Sequence, residues 1–280
     1  LALGTGPLPA GPYYRDDYFA LECEAIFKRT WLNIGHGCEL PEPGSFIVRQ
    51  FDFANASILI TRDNDGNLGA FHNVCTHRGT QLTQEACGKR ASFTCPYHGW
   101  TFNSNGDLRG APDLERFYVE KKELGLTRIS VAVCAGLIFV NLDPSPHQSL
   151  REYLGVLGEQ LETQPVASAT TYSEYVYEID GNWKITYDNF QENYHLRFIH
   201  ARSGGGGAVG PENQFGYPEK YGFHGEHRTQ KIWTNPAPQL SATQKLAFGK
   251  LVPALMQRGM MNAAHARDYY ALFPNFFLIG

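Results

Sequence analysis

Residues 75–100, CTHRGTQLTQEACGKRASFTCPYHGW, decide the reading of the region around them. The stretch opens on Cys75-Thr76-His77-Arg78-Gly79 and closes on Cys95-Pro96-Tyr97-His98-Gly99-Trp100. Each motif offers one thiolate, one imidazole and a glycine. Two Cys and two His form the ligand set in which histidines replace cysteines on one iron of a [2Fe–2S] cluster. The spacings C-x-H and C-x-x-H let each loop give its Cys to an inner iron and its His to an outer one. Gly79 and Gly99 let the loop backbone come close to the sulfides. Neutral imidazole in place of thiolate lowers the negative charge on the cluster and raises its potential, which suits a one-electron relay. A Cys₂His₂ zinc site is the competing reading. Zinc motifs usually pair Cys with Cys and His with His, whereas here each loop carries one of each. His36, His72 and His147 lie outside any such motif and are read as surface or hydrogen-bonded core residues. Cys23, Cys38, Cys87 and Cys134 are read as free, buried or half-buried thiols.

Outward from these loops, short runs such as SFIVRQF, SILITR, GAFHNV and LIFVNL alternate with the turn signals DNDGN and NSNGD. They predict an all-β domain over residues 32–145. Before it, RDDYFALECEAIFKRTW at 15–31 spaces Phe19, Leu21, Ile26 and Phe27 as one helix. After it, Ser149 and Glu152 form a capping box that restarts helix, and a second unit is expected from residue 146. That unit is expected to hold a strand at 172–179 and a helix over NWKITYDNFQENYH at 182–195. A loop follows at 203–213, whose four consecutive glycines resist order. A helix over 241–260 starts from a second box at Ser241 and Gln244, and DYYALFPNFFLI at 268–279 closes as strand. The expected class is α+β, with an all-β cluster domain inserted in or preceding an α+β catalytic domain.

The 280 residues are 42% hydrophobic and 19% charged, which fits a folded chain. A formal charge of −4 with no basic block argues against nucleic acid or an anionic membrane as partner and favours a small substrate. No apolar run is long enough to span a bilayer, and no signal peptide is visible, so the expected location is the cytoplasm. The chain opens on Leu1 without an initiator Met and stops on an apolar strand at Gly280, so it is expected to be incomplete at both ends.

A second motif, Glu192-Asn193-Tyr194-His195-Leu196-Arg197-Phe198-Ile199-His200, sets two histidines five residues apart, with a carboxylate three before the first. Five residues of regular helix rotate by about 140°, so both imidazoles face one metal only if the helix widens or ends between them. Asp188, Glu192 and His195, at offsets of seven and three, are expected to share a helical face. Two histidines and one carboxylate on one side of an iron leave positions free for O₂ and substrate. Asn189, Phe190 and Tyr194 either line a pocket or pack as aromatic core. The alternative for 182–200 is an amphipathic core helix with incidental histidines.

With both motifs in place, the chain resembles the α-subunits of the Rieske non-haem iron oxygenases, the ring-hydroxylating oxygenases. The resemblance runs from RTWLNIGH through CTHRG, CPYHGW and GLIFVNLDP to NWKITYDNF. Respiratory Rieske proteins carry an extra disulfide beside the cluster; Arg78, Gly79 and Tyr97 stand around these ligands, with no Cys there. The resemblance implies residues 1–31 as an N-terminal helix of the catalytic domain, 32–145 as the Rieske domain and 146–280 as an iron domain with a helix-grip-like antiparallel sheet. It implies a [2Fe–2S] cluster on Cys75, His77, Cys95 and His98, and a mononuclear Fe(II) on His195, His200 and an Asp far beyond the second His. No matching Asp segment occurs before Gly280, and Asp268 and Glu226 are too close in sequence. Family members stack head to tail in trimers. By that carry-over Glu192, with Asp188 as a second catalytic candidate, would link His195 to His98 of the next chain. Most relatives use Asp at this point; Glu resembles the branch that acts on quaternary ammonium compounds. The implied activity is O₂-dependent mono- or dioxygenation of an aromatic compound. Electrons would come from NAD(P)H through a reductase, directly or by a ferredoxin, to a homotrimer with or without a β-subunit. The alternatives are a monooxygenase or demethylase of a betaine or carnitine, and a Rieske carrier in which only the cluster functions.

Overall fold

The computed structural model describes residues 4, 6–200, 208–237, 240–257 and 266–279. Two compact units result, Leu1–Tyr177 and Glu178–Gly280. The consecutive glycines at 204–207 and the end of the expected helix at 258–260 lie outside the described residues.

In the first unit α1 (Asp16–Glu22) carries Asp16 and Asp17 in its first turn, where the helix dipole favours negative charge. It runs on into a π-helical turn at Cys23–Phe27. The strands that follow are β1 (Leu32–His36), β2 (Ser45–Phe51), β3 (Ala56–Arg62), β4 (Leu68–His72), β5 (Cys87–Lys89), β6 (Ser92–Thr94), β7 (Thr101–Asn103), β8 (Leu108–Gly110), β9 (Arg128–Cys134) and β10 (Leu137–Asn141). Seven of them form one antiparallel sheet in the order β1-β10-β9-β4-β3-β2-β5, and β6-β7-β8 form a second. The two-residue period of the strands sends alternate side chains to opposite cores. Ile47, Ile58, Ile60 and Ala70 enter one. Phe46, Val48, Leu59 and Phe71 enter the other, where they meet Phe93, Phe102 and Leu108 of the small sheet. Each fully buried side chain of this kind contributes roughly 1.5–3 kcal/mol. Cys75, Cys95 and Trp100 belong to that second core, so the two Cys/His loops are rooted in packed interior.

α2 (Leu150–Leu154) starts at the expected capping box: the Ser149 side chain accepts from Glu152 N–H, and Glu152 accepts from Ser149 N–H. α3 (Val156–Glu162) follows, and its Glu162 accepts from Ala135 N–H at 2.6 Å. These helices pack on β9 and so lie within the first compact unit.

The strand expected at 172–179 does not form: residues 169–179 have no regular structure. Tyr175, Val176 and Tyr177 are all about four-fifths exposed, so neither face of the run is buried. A strand is made by its ladder partner, and among the described residues this run has none.

The second unit holds α4 (Trp183–Asn189), α5 (Leu196–Ile199), β11 (Pro218–His224), β12 (His227–Trp233), α6 (Ala242–Gln257), β13 (Ala266–Leu272) and β14 (Phe276–Ile279). The four strands make one antiparallel sheet in chain order. Residues 268–279 are therefore a hairpin and not one strand; Pro274 in the turn has no N–H to offer a ladder. α6 starts at the expected box, with Ser241 N–H donating to Gln244 and Gln244 N–H to Ser241 Oγ. α4 is capped by Asn182, whose side chain accepts from Lys184 N–H. It lies on the sheet through Tyr187 and Phe190, whose rings stand 4.8 and 5.1 Å from Phe277. Among the described residues no helix is long and apolar enough to cross a membrane.

Candidate functional site

The first cysteine loop follows β4, and the second joins β6 to β7; their backbones match. Cys75 N–H donates to Thr80 O and Gly79 N–H to Cys75 O; Cys95 N–H donates to Trp100 O and Gly99 N–H to Cys95 O. Gly79 and Gly99 sit at φ +75° and +72°, a conformation that favours glycine in each loop. Both cysteines are buried, while His77 and His98 are partly exposed, with ring centroids 4.6 Å apart. His77 stacks on Trp100 at 4.9 Å with the rings nearly parallel. Its Nδ1 is fully enclosed and has no hydrogen-bond partner, a costly state that metal ligation relieves. Burial raises the Cys75 thiol, as does the nearby Cys95; coordination to a cation reverses this by favouring thiolate. Two enclosed sulfurs and two imidazoles toward the surface fit a [2Fe–2S] cluster. Among the described residues no three His, Cys, Asp or Glu side chains converge on one ion position.

In the second unit, the helix expected over 182–195 stops at Asn189. Glu192 accounts for the break: its Oε2 accepts from the N–H groups of Tyr194 and His195 at 2.5 and 3.2 Å, a local alternative to helix. Asp188, Glu192 and His195 thus do not share a helical face, which corrects that expectation. The chain re-enters helix only for the single turn of α5, with His195 as N-cap and His200 as C-cap. Their rings come to 5.3 Å. Glu192 Oε1 also bonds His195 Nδ1. Burial pushes the Glu192 carboxyl upward, but the hydrogen bonds from His195 and Tyr194 outweigh it and hold the group below its ordinary value. Asp188 is exposed and acts electrostatically on Tyr187 and Arg228. Tyr187 is pushed up to about 12, chiefly by burial. Asn189 and Phe190 are exposed, as is Tyr194, whose ring packs on Phe198 at 5.7 Å.

His36 is satisfied by Val166 O and Cys38 N–H, and His147 is exposed. Burial lowers His72. Cys87 is exposed rather than buried, because β5 is a short edge strand. Two residues that sequence reading passed over stand on β12. Arg228 donates to Gln191 O, and Gln230 is 4% exposed with an unpartnered Oε1. HRTQKIW carries no motif that points to either.

Residues 30–130 match the Rieske [2Fe-2S] domain family, and residues 166–279 match the ring hydroxylating alpha subunit (catalytic domain) family. The glycine betaine monooxygenase oxygenase subunit of Pseudomonas aeruginosa (strain UCBPP-PA14) is 33% identical over 190 residues, covering 68% of this chain and 44% of that protein. The large oxygenase component of the naphthalene 1,2-dioxygenase system of Pseudomonas aeruginosa is 33% identical over 198 residues, covering 67% and 43%. The chain thus spans less than half the length of these curated relatives. The structure of a quaternary ammonium Rieske monooxygenase with its substrate gamma-butyrobetaine superposes with a TM-score of 0.73 at 26% identity, covering 97% of this chain and 66% of that one. A cluster domain is thus followed in the same chain by the ring-hydroxylating catalytic domain, and the protein belongs with these relatives to the Rieske non-haem iron oxygenase α-subunits.

Proposed function

We propose that the chain carries both metal centres of a terminal oxygenase component that hydroxylates an organic substrate with O₂. The observation that carries this reading is the pairing of His195 with His200 at 5.3 Å in a chain that also holds the two Cys/His loops. Cys75 and Cys95 would hold the inner iron of the cluster, His77 and His98 the outer one, and His195 and His200 the mononuclear Fe(II). When bound, the cluster supplies single electrons and the iron supplies O₂ activation. The chain's own part is orientation. Glu192 fixes the His195 ring through Nδ1, so that its other nitrogen is the one left for metal. Trp100 holds the plane of His77.

The working partners would be a reductase fed by NAD(P)H, alone or with a ferredoxin, and two further copies of the chain in a cytoplasmic homotrimer. Residues 1–31 would group with 146–280 around the cluster domain at 32–145; the bond from Trp31 Nε1 to Gln148 O ties residue 31 to the start of that later segment. The first substrate reading is an aromatic compound. The second is a quaternary ammonium compound, favoured by Glu in place of Asp at 192 and by the likeness to the glycine betaine enzyme.

Iron content tests the function. About three iron atoms per chain are expected for the oxygenase, and two for an electron carrier. Cys75→Ser and His98→Ala should each abolish the rhombic EPR signal of the reduced cluster. A variant that keeps the signal at full intensity removes that residue from the ligand set.

A further inference from the structure

β12 carries two polar side chains that the fold leaves largely unused. Arg228 and Gln230 are two residues apart on the strand and share a face of the sheet. That face is the one turned to α4. Arg228 lies in the cross-strand row Phe223–Arg228–Ala271–Phe277, and Phe277 meets the rings of Tyr187 and Phe190. Arg228 Nη2 donates to Gln191 O, just ahead of Glu192 and His195, and the guanidinium stands 5.4 Å from the centre of the Tyr221 ring. The described residues include every Asp and Glu of the chain, and Arg228 forms an ion pair with none of them. Asp188 reaches it only at longer range. The adjacent row is Tyr221–Gln230–Tyr269, where Gln230 is 4% exposed and its Oε1 is enclosed without a partner.

A half-buried cation that forms no ion pair with the described carboxylates, under the segment that bears the two-histidine pair, calls for an anionic ligand, and the buried amide beside it has an enclosed Oε1 without a partner. We propose that Arg228 and Gln230 form the subsite that anchors a carboxylate of the substrate, so that the substrate is a carboxylic acid and not a hydrocarbon or a simple amine. A guanidinium has five N–H donors in a fork that fits a carboxylate, and the bond to Gln191 O occupies one nitrogen. The two ends of an amide are interchangeable in assignment, so Gln230 can turn an N–H toward the same anion. The inference rests on the oxygenase reading and narrows its substrate under both alternatives, an aromatic acid or a betaine.

The test is equilibrium binding to the metal-loaded protein of two matched probe pairs: benzoate against benzamide, and glycine betaine against choline. In at least one pair the acid should bind at least about tenfold tighter than its partner, as a charge-assisted hydrogen bond implies. Arg228→Gln should bring the acid down to the level of its partner and leave the partner's affinity unchanged. Arg228→Lys should keep part of the preference. Equal binding within both pairs, or no binding of either acid at millimolar concentration, overturns the inference, and the wild-type comparison decides this even where Arg228→Gln does not fold. Arg228→Gln weakening both members of a pair alike, with a lower Tm, also overturns it and leaves Arg228 as a cap on the carbonyl of Gln191. Iron and cluster content are measured on the same samples. Both metals present without acid preference sinks this inference alone, and missing metals sink the oxygenase reading instead.

Discussion

Glu192 engages three lone-pair sites within its own turn: one from His195 Nδ1 and two from the N–H groups of Tyr194 and His195. An ionised carboxylate offers about four, so one further imidazole N–H can be accepted. That is the capacity a bridge to His98 of a neighbouring chain requires. Glu192→Gln keeps the size of the side chain but has one acceptor oxygen and no charge. Iron should remain close to full and the cluster signal intact, while turnover falls roughly 10- to 100-fold, the usual effect of losing a partner that orients a metal-bound histidine. In a single-turnover experiment the reduced cluster of this variant should fail to reoxidise when substrate and O₂ are added. Iron falling as far as in His195→Ala would make Glu192 a metal ligand instead.

Elements that are specified by a few neighbouring residues behave differently from those specified by a partner. The box of Ser149 and Glu152 is closed within four residues, and its hydrogen bonds hold the Glu152 carboxyl below its ordinary value. A carboxyl depressed in the folded state stabilises it fully above the ordinary carboxylate value, and this is lost as pH falls through the depressed value. The Tm difference between the protein and Glu152→Gln should therefore be steady at neutral pH and close in acid; a constant gap at all pH values would show that the charge has no part in the cap. Both boxes and four strands of the first unit, β2, β3, β4 and β10, are legible in the sequence because caps, turns and two-residue alternation are local. The run at 172–179 alternates like a strand yet has no ladder among the described residues, and nothing in its own residues states this. The break after Asn189 is hidden for a related reason: it comes from Glu192 bonding its own backbone, which apolar periodicity does not register. Arg228 and Gln230 gain meaning only from rows that cross β11 to β14, assembled from residues far apart in the chain.

At the scale of the whole molecule, each compact unit holds one candidate centre, the Cys/His loops in residues 1–177 and the histidine pair in 178–280. His195→Ala or His200→Ala should lose the mononuclear iron and all hydroxylation while the cluster spectrum stays; loss of both centres together would refute this separation. If electrons pass between chains, a mixture of impaired Glu192→Gln and inactive Cys75→Ser chains, refolded or co-expressed together, should show activity above that of either variant alone. The first kind lends its cluster to the intact Glu192 of the second. Homogeneous samples showing the same activity as the mixture would exclude transfer between chains. The bare run at 169–179, just ahead of the division between the compact units, carries Tyr172, Tyr175 and Tyr177 exposed, with no strand ladder among the described residues. A protease must draw a segment into its cleft before cutting, and this one has no regular structure to surrender. Brief chymotrypsin treatment should cleave there first and yield two fragments, with the brown colour of the protein following the larger one.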